Sequence, residues 1–191
     1  DDVIRGTGPT GDTTRYIYDI NKRLIQRIEP EQYNPAYDGL NEATPVDTYS
    51  DDTVGYRYTY DENDNMLKET DPDDNITRYV HDQNGNLIQQ IEPEQYDPAY
   101  DGLNEATPVD SYSDHTVGYR YVYNEDNTLL RETDIENSTT RYVYNQDGNL
   151  VQQINPSEYD PTCDGLNEAT PVDTYSDNTV GYRYTYYDSG E

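Results

Sequence analysis

Alternating tyrosines set the pattern of this chain. In "GYRYTY" the aromatic positions fall at Tyr56, Tyr58 and Tyr60, with Arg57 and Thr59 between them. A period of two puts the tyrosines on one face of a strand and Arg57 and Thr59 on the other. The same alternation returns at Tyr119, Tyr121 and Tyr123, and again at Tyr182, Tyr184 and Tyr186. A polar stretch follows, "DENDN" at 61–65 or, after a related strand, "NQDGN" at 145–149. Then comes "LVQQI" at 150–154, in which Leu150, Gln152 and Ile154 share a face. Strand, Asn/Asp/Gly turn and strand predict a β-hairpin. Where Gly is missing from the turn, Asn or Asp can take the left-handed conformation. Pro30, Pro72, Pro93 and Pro156 follow second strands and end them, because proline has no ladder donor. β-branched and aromatic residues dominate the periodic segments, which argues against helix.

The hairpins repeat. "TRY" stands at Thr14, Thr77 and Thr140, and "GYRY" at Gly55, Gly118 and Gly181, both with a constant step of 63 residues. Each 63-residue unit holds two related hairpin modules about 21 residues long, and a third stretch of similar length without the pattern. The chain divides accordingly. Residues 1–13 read as the tail of a preceding unit, 14–76 and 77–139 as two full units, and 140–191 as an incomplete third. The abrupt start at Asp1 suggests a fragment or processed product, and matching phase at both ends suggests an array. The expected fold is all-β: a repetitive β-hairpin array, a β-solenoid-like extended sheet. Tyr and Leu/Ile ladders would each contribute roughly 0.2–1 kcal/mol per cross-strand pair. The Arg at the centre of each "RY" could pair with nearby carboxylates, which at an exposed site is worth only about 0–1 kcal/mol.

The unpatterned third stretch is the most faithful. "DGLNEATPVD" occurs unchanged from Asp38, Asp101 and Asp164. Loops ordinarily vary more than the elements they join. The segment therefore reads as a docking arm that lies across the sheet or reaches the next unit. Its contact face would be Leu40, Ala43 and Val46, stiffened by Pro45, with Leu103, Val109, Leu166 and Val172 as the copies.

Composition narrows the function classes. The chain has 191 residues, a formal charge of -28, 23 Tyr, and neither Phe nor Trp. That sign of charge disfavours nucleic acid, which wants Lys and Arg, and favours solubility or cation binding. Tyrosine is expected to supply the aromatic core mass while keeping a hydroxyl for water. No apolar run approaches the roughly 20 residues needed to span a bilayer, so membrane insertion is not expected, and no signal peptide is evident. Cys163 is the only cysteine and rules out an intrachain disulfide.

"TRYVYNQDGNLVQQI" and "YRYTYDENDNMLKETDP" resemble the Rhs/YD repeat: Tyr-Asp, a short turn, Gly or Asn, Leu, then a polar strand. The resemblance covers both hairpins of all three units. Members of that family include bacterial wall-associated and secreted proteins, polymorphic-toxin carriers and animal teneurins. The resemblance implies extended β-sheets, often spiralling into a hollow shell around a toxin. Here the unit is longer, carries an insertion, and is copied more closely than in many such shells.

Candidate chemistry is sparse. His81 and His115 are the only histidines, neither recurs, and no Ser or Cys lies in a nucleophile context, so an enzyme is not expected. The arms present an oxygen-rich set: Asp38, Asn41, Glu42, Asp47 and Asp51; Asp101, Asn104, Glu105, Asp110 and Asp114; Asp164, Asn167, Glu168, Asp173 and Asp177. Calcium takes six to eight oxygens, so these residues admit calcium as the one candidate cofactor. The competing reading is a solvated acidic loop whose Asp and Asn side chains cap turns. Sequons stand at Asn75 and Asn137. The sequence reading is a structural repeat protein, an extracellular fibre or cell-surface stalk whose partner is itself, with glycans or cell-surface components as further candidates. The alternatives are a segment of a toxin-encapsulating β-shell, and a calcium- or carbohydrate-binding adhesion module.

Overall fold

The computed structural model describes residues 4–39, 49–103, 111–166 and 174–186. It divides into two compact units, residues 1–80 with 92–113, and 81–91 with 114–191. The first holds β1 (Arg5–Thr7), β2 (Thr13–Tyr18), β3 (Leu24–Ile28), β4 (Tyr56–Tyr60), β5 (Met66–Thr70) and all but the last residue of β6 (Ile76–His81). The second holds β7 (Leu87–Ile91), β8 (Tyr119–Tyr123), β9 (Leu129–Thr133), β10 (Thr139–Tyr144), β11 (Leu150–Ile154) and β12 (Tyr182–Arg183). Within each unit the strands lie in sequence order, antiparallel, in an open sheet. The all-β hairpin array is therefore the fold.

One turn serves every short connection in the repeats. An Asp or Asn opens it, its backbone N–H donates to the carbonyl four residues on, and the residue at the fourth position takes positive φ. Asp61 to Asn65 is an example. The Asp61 N–H reaches the Asn65 carbonyl at 3.0 Å, Asp64 has φ 68°, and Asp61 Oδ1 accepts the N–H groups of Asn63 and Asn65, both at 2.8 Å. Asp71, Asp82, Asn124, Asp134 and Asn145 open equivalent turns. The left-handed position is Asp64, Asp74, Gly85, Asn127, Asn137 or Gly148, the residue types that tolerate it. Lys22, with φ 67°, is the exception. Prolines 30, 72, 93 and 156 each lie two residues beyond a strand end, as expected.

The interior departs from expectation. Strand tyrosines do not form its centre. Ile28, Leu67, Ile91, Leu130 and Ile154 are fully buried, and so are three arginines, Arg15, Arg78 and Arg141. Gln26, Gln89 and Gln152 are buried beside them. Register explains the company: Arg15 opposes Ile28, and Ile17 opposes Gln26, so all four share a face. Among the described residues, only Tyr49, Tyr112 and Tyr175 are buried tyrosines, and all three belong to the arms. The strand tyrosines are half-buried or exposed. Tyr56 opposes Arg27, whose guanidinium lies 4.3 Å from its ring centre. The alternation of Tyr56, Tyr58 and Tyr60 is interrupted by a register shift between Thr59 and Tyr60.

The arms leave and return between neighbouring strands. β3 and β4 pair directly, Gln26 with Arg57 and Arg27 with Tyr56, although residues 29–55 separate them. The close return demands glycine. Gly55 has φ 74°, and a Cβ there would sit 2.2 Å from the Arg27 carbonyl oxygen. Gly118 and Gly181 meet Gln90 and Gln153 in the same way at 2.1 Å. Two outcomes are expected in urea unfolding. Lys22→Gly should stabilise the first hairpin by about 1 kcal/mol by relieving left-handed strain. Gly118→Ala should destabilise by about 3 kcal/mol, since it adds backbone strain to a clash with backbone.

Candidate functional site

The site that recurs in every repeat is a clasp at the base of the arm. Its centre is the buried arginine of β2, β6 or β10. Arg15 Nε donates to Asp38 Oδ1, Arg78 Nε to Asp101 Oδ1, and Arg141 Nε to Asp164 Oδ1, each at 3.0 Å. The second carboxylate oxygen accepts a tyrosine hydroxyl from five residues upstream: Tyr33, Tyr96 or Tyr159, each at 2.8 Å. Backbone N–H groups of Leu103 and Leu166 add a bond to Asp101 and Asp164 at 3.0 and 3.1 Å. The arginine's Nη1 donates backwards to a carbonyl of the preceding strand: Ile4 at 2.8 Å, Leu67 at 2.9 Å, Leu130 at 3.1 Å. It also reaches the carbonyls of Tyr16, Tyr79 and Tyr142. One side chain thus joins the end of one repeat, the hairpin of the next and that repeat's arm.

Register shows why a carboxylate is needed there. Arg15 stands opposite Arg5, Arg78 opposite Lys68, and Arg141 opposite Arg131. Like charges directly opposite across a sheet repel. The arm carboxylate answers both, and in the third repeat Arg131 Nη1 also comes to 3.5 Å of Asp164 Oδ2.

Two further locks hold the arm. The buried glutamine of β3, β7 or β11 donates to two arm carbonyls: Gln26 to Asp51 and Val54, Gln89 to Asp114 and Val117, Gln152 to Asp177 and Val180, at 2.8–2.9 Å. Tyr49, Tyr112 and Tyr175 pack against Tyr33, Tyr96 and Tyr159 with ring centres 6.2 Å apart. Their hydroxyls accept the N–H of Asn34, Asp97 and Asp160 at 2.8–2.9 Å. Cys163 stands where Tyr37 and Tyr100 edge this cluster in the other repeats.

These bonds engage six of the fifteen oxygen residues read from the sequence. Asp38, Asp101 and Asp164 are held by arginine and tyrosine. Asp51, Asp114 and Asp177 cap turns, each accepting from the backbone and hydroxyl of Thr53, Thr116 or Thr179. The Thr hydroxyl and then the N–H keep these three carboxyls below their ordinary pKa. Asn41, Glu42, Asp47, Asn104, Glu105, Asp110, Asn167, Glu168 and Asp173 lie outside the described residues, as do Leu40, Val46, Val109 and Val172. Leu103 and Leu166 are half-buried beside the clasp. Among the described residues, no group of three or more His, Cys, Asp or Glu is arranged to hold a metal ion. Of the other arginines, Arg57 pairs with the Asp74 carboxylate at 2.5 Å at an exposed site, whereas Arg120 Nη2 donates to the Asn137 amide oxygen at 2.7 Å.

A family comparison fits this geometry. The family model for the RHS repeat matches residues 60–97, from the end of β4 to the start of the second arm. Residues 60–97 thus carry the RHS repeat pattern that the sequence resembles. The matched segment contains three of the capped turns, opened by Asp61, Asp71 and Asp82, the buried Arg78 and Gln89, and Tyr96 of the clasp. A search of curated proteins finds no match.

The clasp makes stability depend on pH in a definite direction. Burial pushes the Asp101 and Asp164 carboxyls up, but their hydrogen bonds to Leu103, Arg78 and Tyr96, and to Tyr159, Arg141 and Leu166, bring them below the ordinary value. Burial, then the bond to the carboxylate, pushes Tyr96 and Tyr159 up. A lowered acid means that the unfolded chain binds the extra proton first. The carboxylate contribution is complete above about pH 4 and is lost as pH falls through the folded pKa. A raised tyrosine keeps its proton when the unfolded one ionises, so its contribution is lost as pH rises beyond about 10. Asp164→Asn should remove the acid limb from the difference between variant and parent pH–stability profiles. Arg141→Leu alone should destabilise by about 3–5 kcal/mol, because it strands a buried carboxylate. Arg141→Leu with Asp164→Leu should fall short of the summed single effects by about 1–3 kcal/mol in urea titrations.

Proposed function

We propose that this chain is a structural segment of an extracellular or cell-surface protein, in which clasped hairpin units continue one another as a fibre or stalk. Rhs repeats are typical of cell-surface and secreted proteins and are structural rather than catalytic. The observation that carries the finer reading is the clasp at constant step. Arg15 with Asp38, Arg78 with Asp101, and Arg141 with Asp164 have the same 3.0 Å contact and the same link to the preceding repeat's carbonyl. A repeat-to-repeat joint that does not vary along the chain suits a regular object built of nearest-neighbour contacts. Its mechanism is mechanical. Buried guanidinium bonds couple successive repeats, and the net charge of -28 keeps the sides of neighbouring assemblies apart.

The rival is a segment of an Rhs-type shell around a toxin. It is favoured by the RHS match at residues 60–97. Electron microscopy of the native material separates the two: filaments with a regular axial repeat are expected, and discrete hollow particles would overturn the fibre reading.

A further inference from the structure

Each clasp aspartate is followed by glycine: Asp38–Gly39, Asp101–Gly102 and Asp164–Gly165. That pairing is chemically labile. A neutral aspartic acid can be attacked at Cγ by the backbone nitrogen of the next residue, and glycine, with no Cβ, leaves that nitrogen unscreened. Both residues are nevertheless wanted here. The aspartate answers the buried arginine. A Cβ on Gly102 would sit 2.1 Å from Ser111 Oγ, and one on Gly165 2.2 Å from Thr174 Oγ1. The bonds of the clasp oppose the lability. Asp101 accepts from Arg78 Nε at 3.0 Å, the Tyr96 hydroxyl at 2.8 Å and the Leu103 N–H at 3.0 Å, and its side chain is 7% exposed. Burial raises its pKa, but those bonds bring it below the ordinary value, and an ionised carboxylate has no hydroxyl to lose as water. The Gly102 N–H donates to the Ser111 carbonyl at 3.0 Å. Asp164 and Gly165 are held in the same way by Arg141, Tyr159, Leu166 and the Thr174 carbonyl. Asp147–Gly148 is the untied counterpart. It lies exposed in the turn opened by Asn145, and its glycine N–H is bonded too, to the Asn145 carbonyl at 3.0 Å. The difference lies in the aspartate side chain, tied in the clasp and open to water in the turn.

We propose that Asp38–Gly39, Asp101–Gly102 and Asp164–Gly165 are latent isomerisation sites that the clasp keeps silent, so that a repeat whose clasp is lost converts its aspartate to isoaspartate and cannot close again. The step balances without a co-reactant other than water. The Gly102 nitrogen bonds to Asp101 Cγ, the carboxyl hydroxyl leaves with the amide proton as water, and a succinimide ring results. Water then adds at the Asp101 main-chain carbonyl carbon and breaks its bond to the Gly102 nitrogen. The main chain now runs through Cγ, and the carboxylate sits directly on Cα. The backbone is one atom longer and the side chain one carbon shorter, so the carboxylate no longer reaches Arg78 and Tyr96 together. Local opening of a repeat is ordinarily reversible, and covalent change in the open state makes it permanent. The inference holds whether the repeats form a fibre or a shell.

Prolonged incubation of the whole chain in neutral buffer, followed by peptide mapping with fragmentation that separates isoaspartate from aspartate, tests this. In concentrated urea all these Asp–Gly pairs should isomerise. In the folded chain isoaspartate is expected at Asp147 and not at Asp38, Asp101 or Asp164. Tyr96→Phe, which keeps the ion pair, should raise isoaspartate at Asp101 while Asp164 stays silent. Arg78→Leu should raise Asp101 to the level of Asp147. Equal conversion at Asp101, Asp164 and Asp147 in the folded parent would overturn the proposal. So would silence at Asp147, since folding without a clasp would then suffice. In Tyr96→Phe, an unchanged Asp101 or a rise at Asp164 in step with it would overturn it as well, the latter because general unfolding and not the local clasp would be the cause.

Discussion

A guanidinium taken out of water must find its charge and its hydrogen bonds inside the protein, and this fold is arranged around three that do. The desolvation of an arginine and a carboxylate is offset only when the geometry is good and the remaining donors are satisfied. In each clasp the arm's carboxylate meets Nε, a tyrosine hydroxyl takes its other oxygen, and Nη1 turns back to the preceding repeat. Removing the arm would leave a buried cation facing a second cation on the neighbouring strand. The arm's aspartate is therefore part of the interior. Its position between adjacent strands follows from a chain that must leave the sheet, deliver an aspartate to the arginine, and return to the strand it left.

The return and the turns show how local backbone chemistry serves that arrangement. Gly55, Gly118 and Gly181 bring the chain back against a strand carbonyl where no side chain fits. The capped turns fix hairpin register, so that arginine, isoleucine and glutamine fall on the arm's side of the sheet. A one-residue slip would exchange that face for the tyrosine face. The Asp or Asn cap and the left-handed residue do this without demanding identity at the other turn positions. That is how "DENDN" and "NQDGN" can differ in sequence and still form the same turn.

Much of this was legible in the sequence, and the part that was not has a physical reason. Alternation at Tyr56 and Tyr58, the Asn/Asp/Gly turns and the strand-ending prolines each report a local backbone preference, and all appear where local preference places them. The clasp is a non-local pairing. Arg57 and Arg78 occupy the same place in "YRY" and "TRY", yet Arg78 is fully buried and Arg57 remains partly exposed beside Asp74. Nothing within a strand's length separates them. The difference lies 23 residues on: Arg15, Arg78 and Arg141 reach Asp38, Asp101 and Asp164, whereas the same distance from Arg57 and Arg120 ends at Val80 and Val143. A tyrosine five residues before the aspartate completes the signal. Tyrosine's abundance also misleads about the core, since a half-buried sheet face accommodates its ring and hydroxyl without burying either.

Charge bears on the constancy of the arm. With 12 Lys and Arg against 40 Asp and Glu, almost any carboxylate near a buried arginine finds competition from others, and almost any misplaced arginine finds a carboxylate. Selecting one pairing in such a chain requires more than opposite sign. The clasp selects by geometry: Asp101 is held by a tyrosine hydroxyl and a backbone N–H as well as by Arg78, a combination that a passing surface carboxylate cannot offer. Because the aspartate opens the unchanged ten-residue segment, a shift of even one residue there would move the carboxylate off its three donors. Register in the arm is thus tied to register in the sheet. A repeat whose arm drifted would lose both its own clasp and its link to the repeat before it.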